Sequence, residues 1–233
     1  MSPRTTQDMI NKEEFRKYAI HNQGVSGTAF DQYTTHIENM TRSVIEERPQ
    51  NFREIDVFSR LIMDRIIFLG TGVDDHIANI IVAQLLFLES VDSKKDVLLY
   101  INSPGGYVDS CMHLIDIIKQ SRIPVYTYGM GSIASCGVML MMGGEKGHRY
   151  LTQNTAVMSH EFSGGTRGQY HDMVESRKHM DWTNQKLLEH YIKCTGKNEK
   201  YIRKHLLAPK TDHWLTPEEA VQHGIADHVV ETY

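Results

Sequence analysis

A serine stands at the start of the most apolar short stretch of the chain. Residues 134–142 read ASCGVMLMM, so Ser135 is expected at the N-terminus of a short helix that is buried on all sides. A serine in this place can cap the helix, or its hydroxyl can act as a nucleophile where developing negative charge is stabilised. Ile133 occupies the first glycine position of G-x-S-x-G, so the nucleophile elbow of the α/β-hydrolases is disfavoured.

A nucleophilic serine needs a general base, and histidine is the usual one. The chain has 13 histidines. His160 is distinguished by its position, because it follows the apolar run 156–158 and would lie at the end of a buried strand, where the sites of parallel sheets gather. Asp212, in the sequence Thr-Asp-His-Trp, is a loop carboxylate that could orient such a base. The spacing alone leaves surface and packing roles open for both residues.

Two glycine-rich segments are predicted to follow strands and precede helices. In Ser-Pro-Gly-Gly, residues 103–106, the two glycines would leave backbone N–H groups free to bind an oxyanion, a phosphate or a carboxylate, although a tight turn without a ligand has the same sequence. Residues 129–134 match G-x-G-x-x-A, the dinucleotide fingerprint. That fingerprint also requires an acidic residue at the end of the next strand, and residues 152–158 contain none. The dinucleotide interpretation is therefore disfavoured, and no cofactor is expected.

The composition argues against several other classes of protein. The chain has 25 Lys+Arg and 29 Asp+Glu, a net charge of −4, which does not favour a nucleic-acid partner. His190 and Cys194 are four residues apart on a predicted helix, but a packed pair is favoured over a metal site, so no metal is expected. The three cysteines are far apart, and the N-terminus lacks an apolar signal core. No apolar stretch reaches the ~20 residues of a membrane span, so a cytoplasmic protein without membrane contact is expected.

The elements that must position these residues follow from the periodicity of the apolar residues. Strands are predicted to alternate with helices, which indicates an α/β fold with buried, mainly parallel strands. Thr-Pro-Glu-Glu at residues 216–219 is typical of a helix start with a capping box, and Gly224 of that helix's end. The predicted strands are residues 65–69, 96–101, 124–128 and the extended stretch 149–159, and the predicted helices are residues 73–90, 108–118, 134–142 and 170–194.

Several of these motifs, taken in order, resemble the ClpP family of serine peptidases. They are Tyr-Ile-Asn-Ser-Pro-Gly-Gly (100–106), Ala-Ser-Cys-Gly (134–137), Met-Ser-His with Ser-Gly-Gly-x-x-Gly-Gln (158–169), and Thr-Pro-Glu-Glu-Ala with His-Gly-Ile-Ala-Asp (216–227). The resemblance covers about residues 41–230. It implies a crotonase-like α/β spiral of β-β-α units with a protruding strand–helix handle at about residues 160–195.

The resemblance also implies roles for individual residues. Ser135 would be the nucleophile, His160 the general base and Asp212 the residue that orients the base. The N–H groups of Gly106 and Cys136 would form the oxyanion hole. Cys136 stands where the family usually has a methionine, and this leaves the role intact because only the backbone of residue 136 is needed.

Substrate and partners are implied by the same resemblance. An unfolded polypeptide would lie extended beside Gly164 and Gly165 and would be cut inside a chamber built from two stacked heptameric rings of this subunit. An ATP-driven AAA+ unfoldase of the ClpX or ClpA/ClpC type would feed the chamber. Neither a nucleic acid nor a membrane is expected as a partner.

The resemblance divides the chain into three parts. Residues 1–39 are expected to be an N-terminal extension or a propeptide, residues 40–57 the segment of the axial loop, and residues 58–233 the peptidase domain with its handle. Two alternative functions remain at this point. One is a non-catalytic subunit of the same kind of ring, and the other is a crotonase-type acyl-CoA enzyme, which would use similar N–H groups without needing a serine–histidine pair.

Overall fold

A mainly parallel sheet lies at the centre of the protein. The computed structural model describes residues 12–32, 44–48 and 51–231. The strands among them are β1 (Val44–Arg48), β2 (Asn51–Ile55), β3 (Ile66–Leu69), β4 (Val97–Ser103), β5 (Val125–Ala134), β6 (Arg149–Thr152), β7 (Ala156–Ser159), β8 (His213–Leu215) and β9 (His228–Val230). The helices are α1 (Lys12–His21), α2 (Val57–Met63), α3 (Asp75–Val91), α4 (Val108–Gln120), α5 (Cys136–Gly143), α6 (Tyr170–Thr195), α7 (Glu199–His205) and α8 (Pro217–His223). A further helical segment covers residues 27–32.

The order of the strands follows from their hydrogen bonds. Strands β3, β4, β5, β6 and β9 lie side by side and parallel, in that order. Strand β7 pairs in parallel with the last residues of β5, and β8 pairs with β7 in the antiparallel direction. Alternate residues of β4 enter the core, where Val97, Leu99 and Ile101 are buried. The α/β class predicted from the sequence is confirmed.

The helix boundaries have local causes. Helix α3 begins after Asp74, whose side chain accepts a hydrogen bond from the N–H of Ile77. The capping box predicted before α8 is present, since Thr216 Oγ1 accepts from the N–H of Glu219 at 3.3 Å and the Glu219 carboxylate accepts from the N–H of Thr216 at 2.8 Å. Gly224 ends that helix in the left-handed conformation, with φ of 83°.

The main difference from the sequence prediction lies in β5. The sequence predicts a strand that ends at residue 128, a glycine turn, and a helix from residue 134. In the structure β5 continues to Ala134 and α5 begins only at Cys136. The strand continues because it changes partner: residues 127–129 pair with β6, and residues 132–134 pair with β7. The glycines of G-x-G-x-x-A therefore lie inside a strand and not in the strand-to-helix turn that a dinucleotide site requires.

Helices α5 and α6 agree with the prediction over most of their length. Every residue of α5 is buried, as its composition indicates, and α6 forms the predicted long helix of the handle. Residues 160–169, which the resemblance places in the strand of the handle, form neither helix nor strand. A strand needs a neighbour, and among the described residues no backbone hydrogen bond joins 162–168 to another segment.

The N-terminal segment packs on the domain through aromatic side chains. The ring of Phe15 in α1 lies 5.5 Å from that of Phe30 and 5.8 Å from that of Phe87 in α3, and all three side chains are buried. Its removal as a propeptide stays a prediction. The segment assigned to the axial loop contains the hairpin β1–β2, while residues 33–43 and 49–50 lie outside the described residues. No described helix is long and apolar enough to cross a membrane.

Candidate active site

Ser135 lies in a sharp turn between β5 and α5. Its backbone has φ of 54° and ψ of −121°, a conformation that residues other than glycine rarely adopt. The turn is fixed by the N–H of Ser135, which donates to the carbonyl of Met158 in β7 at 2.9 Å. The side chain makes no capping hydrogen bond to α5. Of the two interpretations of this serine, the helix cap is therefore excluded.

The hydroxyl of Ser135 contacts His160 instead. Ser135 Oγ lies 2.8 Å from Nε2 of His160, which follows the last residue of β7. The contact forms because residues 132–134 of β5 pair with residues 156–158 of β7, so both side chains leave the sheet at the same edge. With the ring proton on Nδ1, the hydroxyl donates to Nε2, as a nucleophile does to its general base.

The glycine turn of residues 103–106 lies directly against this pair. A Cβ atom on Gly105 would stand 2.7 Å from the carbonyl oxygen of Ala134 and 2.8 Å from Cβ of Ser135, and the φ of Gly105 is 92°. A Cβ on Gly106 would stand 2.0 Å from the carbonyl oxygen of Val73. Only glycine allows these close approaches of the backbone, that of Gly105 to the serine turn and that of Gly106 to Val73.

Two backbone N–H groups beside Ser135 have no partner among the described residues. The N–H of Val73 donates to Gly105 O at 2.8 Å, and the N–H of Tyr107 donates to Val73 O at 2.9 Å, which leaves the N–H of Gly106 between them unused. Cys136 is the first residue of α5, so its N–H has no intrahelical acceptor. A helix N-terminus also carries partial positive charge. Both groups could therefore stabilise an oxyanion.

Asp212 lies near His160 without touching it. His213 in β8 pairs with Ser159 in β7 as the last pair of that ladder, so His160 and Asp212 are the residues just beyond it. Its side chain is exposed, and no hydrogen bond joins it to the imidazole. Among the described residues, Nδ1 of His160 has no hydrogen-bond partner. The structure thus brings Ser135 and His160 into contact, whereas Asp212 follows the end of the β7–β8 ladder without a hydrogen bond to either of them.

Glu161 is a residue of this site that the sequence reasoning missed. Its Oε1 accepts a hydrogen bond from the backbone N–H of Lys210 at 3.0 Å, across 49 positions of sequence. A carboxylate directly after the candidate base could have been singled out from the sequence. Its partner is a backbone N–H, which every residue except proline carries, so the contact with Lys210 could not be predicted.

A small cleft of about 40 Å³ is lined by Ser135, Cys136 and His160. Four apolar side chains form half of the rest of its wall, namely Val108, Met139, Phe162 and Leu187, and Glu161 and Ser163 are among the others. Tyr191 also lines it, and its hydroxyl lies 2.9 Å from Oγ of Ser159. Burial raises the pKa of Tyr191 above its usual value, so this residue stays a neutral phenol. The cleft therefore offers both apolar and polar surface next to the serine.

The cysteines and the buried histidine of the site fit packing roles. The thiol of Cys136 lies 3.4 Å from the carbonyl of Gly106, and that of Cys111 lies 3.2 Å from the carbonyl of Cys136. His190 Nε2 lies 2.9 Å from the carbonyl of Met139, and its ring is 3.7 Å from the sulfur of Cys194. In the part of the chain that the structure describes, no group of three or more potential ligands could hold a metal ion.

Gly164 and Gly165 lie in the irregular segment after His160, and both are exposed. A Cβ on Gly164 would meet Met180 and Phe162, whereas one on Gly165 would meet nothing within 4 Å. Because the backbone of residues 162–168 has no partner in the described chain, its N–H and C=O groups are available to an extended peptide.

Comparison with known proteins adds an independent observation. The chain matches the protein-family model described as Clp protease over residues 48–233. It is 37% identical, over 219 residues, to the ATP-dependent Clp protease proteolytic subunit of Porphyromonas gingivalis (strain ATCC BAA-308 / W83). The aligned region covers 94% of this chain and 97% of that protein. The matched range includes every residue of the site described above.

Proposed function

Because this chain belongs to the Clp protease family, we propose that it is the proteolytic subunit of an ATP-dependent Clp protease, a serine endopeptidase that hydrolyses unfolded polypeptides into short peptides. The observation that carries the proposal is the 2.8 Å contact between Ser135 Oγ and His160 Nε2 at a strained strand-to-helix turn. A backbone in such a sparsely populated conformation costs about 1–3 kcal/mol and persists where the surrounding structure enforces it.

The reaction is an acyl transfer. Ser135 Oγ attacks the peptide carbonyl while His160 takes the hydroxyl proton, and His160 then gives that proton to the leaving amine. Water, activated by the same imidazole, releases the acyl-enzyme. The unpaired N–H groups of Gly106 and Cys136 receive the oxyanion of each tetrahedral intermediate, and losing one such donor typically costs about 2.7–4 kcal/mol.

Asp212 completes the triad by orienting His160. It holds the proton on Nδ1 and stabilises the imidazolium that forms during attack. The ladder between β7 and β8 supports this role, because residues 160 and 212 directly adjoin its last pair, Ser159 with His213. The side chain of Asp212 turns from solvent toward Nδ1 when the site is engaged, since the two groups make no hydrogen bond in the present arrangement.

Substrate and assembly follow from the exposed surfaces. An extended polypeptide adds as a strand beside Gly164 and Gly165, so that main-chain hydrogen bonds hold it and the cleft beside Ser135 receives one side chain. The exposed first half of α6 contacts a second ring, and two heptameric rings enclose the chamber. An AAA+ unfoldase of the ClpX or ClpA/ClpC type delivers the chain. Three buried free thiols fit a reducing compartment such as the cytoplasm.

A fluorophosphonate probe on the assembled protein tests the catalytic role. We expect covalent labelling at Ser135, none in Ser135→Ala, and labelling slowed by about 10³-fold or more in His160→Ala. Ser132→Ala is the matched control, because Ser132 lies three residues earlier on the exposed part of β5 and its variant should label as the parent does.

Two outcomes would favour the other functions. An assembled particle that neither labels nor cleaves a peptide would be a non-catalytic ring subunit. Turnover of a CoA thioester that survives Ser135→Ala would indicate a crotonase-type enzyme, which uses the N–H groups but not the serine.

A further inference from the structure

The turn that carries Asp212 is fixed at both ends to the last residue of β7. Oγ of Ser159 donates to the carbonyl of Leu206 at 2.8 Å on one side of the turn. On the other side, His213 pairs with Ser159 in the ladder between β7 and β8. Leu206 is buried, whereas Asp212 is exposed. Both ends of this loop are therefore held by contacts with Ser159, but these contacts do not fix the residues in its middle.

Glu161 supplies that contact. Its carboxylate accepts the backbone N–H of Lys210 at 3.0 Å, and Lys210 has φ of 57°, a left-handed conformation that residues other than glycine seldom adopt. A second bond tightens the turn from within, since the N–H of Thr211 donates to Ala208 O at 3.3 Å. Among the described residues, the bond from Glu161 is the one that joins residues 208–212 to the segment carrying His160.

We infer that Glu161 is a positioning residue, which holds the 208–212 turn so that Asp212 can reach Nδ1 of His160. The inference rests on the proposed function, because it gives Glu161 a task only if His160 is the general base. Glu161 follows His160 in sequence. One short segment therefore carries both the base and the carboxylate that holds the loop of Asp212. A shift of about 1 Å in such an arrangement can cost about 100-fold in rate.

The charge of Glu161 is not what the role requires. A backbone N–H needs an acceptor oxygen, and the amide of glutamine offers one at the same reach. Alanine at this position removes the acceptor and frees the turn. The glutamine variant keeps the acceptor and loses the charge, whereas the alanine variant loses both. Comparing them separates the hydrogen bond to Lys210 from an effect of the negative charge on the cleft.

The first measurement is the hydrolysis of a short fluorogenic peptide with an apolar residue before the cut, by the assembled full-length protein. We expect Glu161→Ala to lower kcat by about 10- to 100-fold with KM within about twofold, and Glu161→Gln to keep kcat within about threefold of the parent. Glu218→Ala is the control, because Glu218 is an exposed glutamate at the start of the neighbouring helix α8. Native mass spectrometry should show the same assembly for all variants.

The second measurement asks whether Glu161 acts through Asp212. Fluorophosphonate labelling rates are compared for Glu161→Ala in the parent and in an Asp212→Ala background, since labelling stays measurable when turnover is slow. We expect Glu161→Ala to slow labelling clearly in the parent but by less than about twofold in the Asp212→Ala background, because Glu161 then has no carboxylate left to position. Equal losses in both backgrounds, or no loss in the parent, would overturn the inference.

A failure of the inference can be told from a failure of the proposed function. If Ser135→Ala abolishes labelling while Glu161→Ala labels as fast as the parent, the enzyme assignment stands and the positioning role is wrong. If the parent neither labels nor cleaves, both are wrong.

Discussion

The two halves of helix α6 lie in different environments. The C-terminal half packs beneath Ser135 together with α5 and the glycine turn, and we refer to these parts (residues 103–106, 136–143 and 183–195) as the buried platform. Leu187 and Tyr191 are buried there at 5% and 1% exposure. The N-terminal half, with the irregular residues 163–169 before it, forms an exposed arm at residues 163–182. Its Tyr170 and Trp182 are 80% and 58% exposed.

The interactions in the two regions differ as well. The ion pairs of the arm are mostly within one helix, such as Arg177 with Asp181 at 2.9 Å, where both side chains are exposed, although His179 also lies 3.3 Å from Asp109. The platform is stabilised by contacts between segments far apart in sequence, such as Arg149 Nη1 with the carbonyl of Cys194. The position of Ser135 therefore depends on contacts within the platform, whereas the arm is held mainly by contacts within its own helix. An arm of this kind suits a surface that meets substrate and a second ring.

Equivalent glycine substitutions should change the free energy of unfolding by a large amount in the platform and by a small amount in the arm. We expect Gly106→Ala to destabilise the protein by more than about 4 kcal/mol, because its Cβ would stand 2.0 Å from a backbone oxygen of Val73. Gly165→Ala in the arm should change the free energy of unfolding by less than about 0.5 kcal/mol, since nothing lies within 4 Å of its Cβ. Urea denaturation of both variants measures the difference.

A small effect of Gly106→Ala would contradict the rigid platform. It would mean that the bridge between Val73 and Gly106 can shift to admit a methyl group, so that the N–H groups beside Ser135 are not held in place by packing. Gly165→Ala serves as the control for the loss of backbone freedom that any glycine substitution brings to the unfolded chain.

Removing a carboxylate should likewise cost more beside the platform than in the arm. The guanidinium of Arg149 is 2% exposed and donates to Asp227 at 2.6 and 2.8 Å. Burial raises the pKa of Asp227, but the hydrogen bonds and charge of Arg149 together outweigh it and hold that pKa below its usual value. Asp227→Ala leaves a buried cation unpaired, so a loss of about 3–5 kcal/mol is expected.

Asp181→Ala is the matched change in the arm, and a loss of only about 0.3–0.5 kcal/mol is expected for an exposed pair four residues apart. Both values come from denaturant titrations at neutral pH. Similar losses in the two variants would show that the burial of Arg149 does not set the strength of its ion pair.

Sequence patterns predicted the helices, strands and caps that are determined by residues close together in the chain. The apolar periodicity of β3, β4, α3 and α4, and the capping box of α8, agree with the structure because each depends on residues within a few positions. The short strands β8 and β9 went unpredicted, since three residues carry no period that can be recognised. Helix α7 was missed for the same reason, being only seven residues long.

Long-range pairing accounts for the rest. Gly129 and Gly131 are typical of a turn, yet β5 continues through them because β7 pairs with its last residues. The approach of Ser135 to His160 depends on the same pairing, and spacing alone could only offer both residues as candidates. The role of Asp212 was proposed from the resemblance to a family and stays a prediction, whereas the bond between Glu161 and Lys210 followed from neither spacing nor resemblance.

The buried end of α6 should also make the stability of the platform depend on pH. His190 lies in the platform, where burial lowers its pKa to about 4. Lys119 and Lys193 act in the same direction and Asp116 opposes them. The unfolded chain binds a proton at this residue below a pH of about 6.5, while the folded protein does so only near 4. The contribution is therefore complete above about 6.5 and falls by about 3 kcal/mol as pH decreases to about 4.

His190→Gln tests this linkage because an amide N–H can still donate to the carbonyl of Met139 but does not titrate. Urea denaturation at several pH values should show the variant losing about 3 kcal/mol less than the parent between pH 7 and 4. If His190→Gln follows the parent curve instead, then water reaches His190 in the folded state. The platform would then be as open as the arm, and its burial would not be what holds Ser135 against the glycine turn.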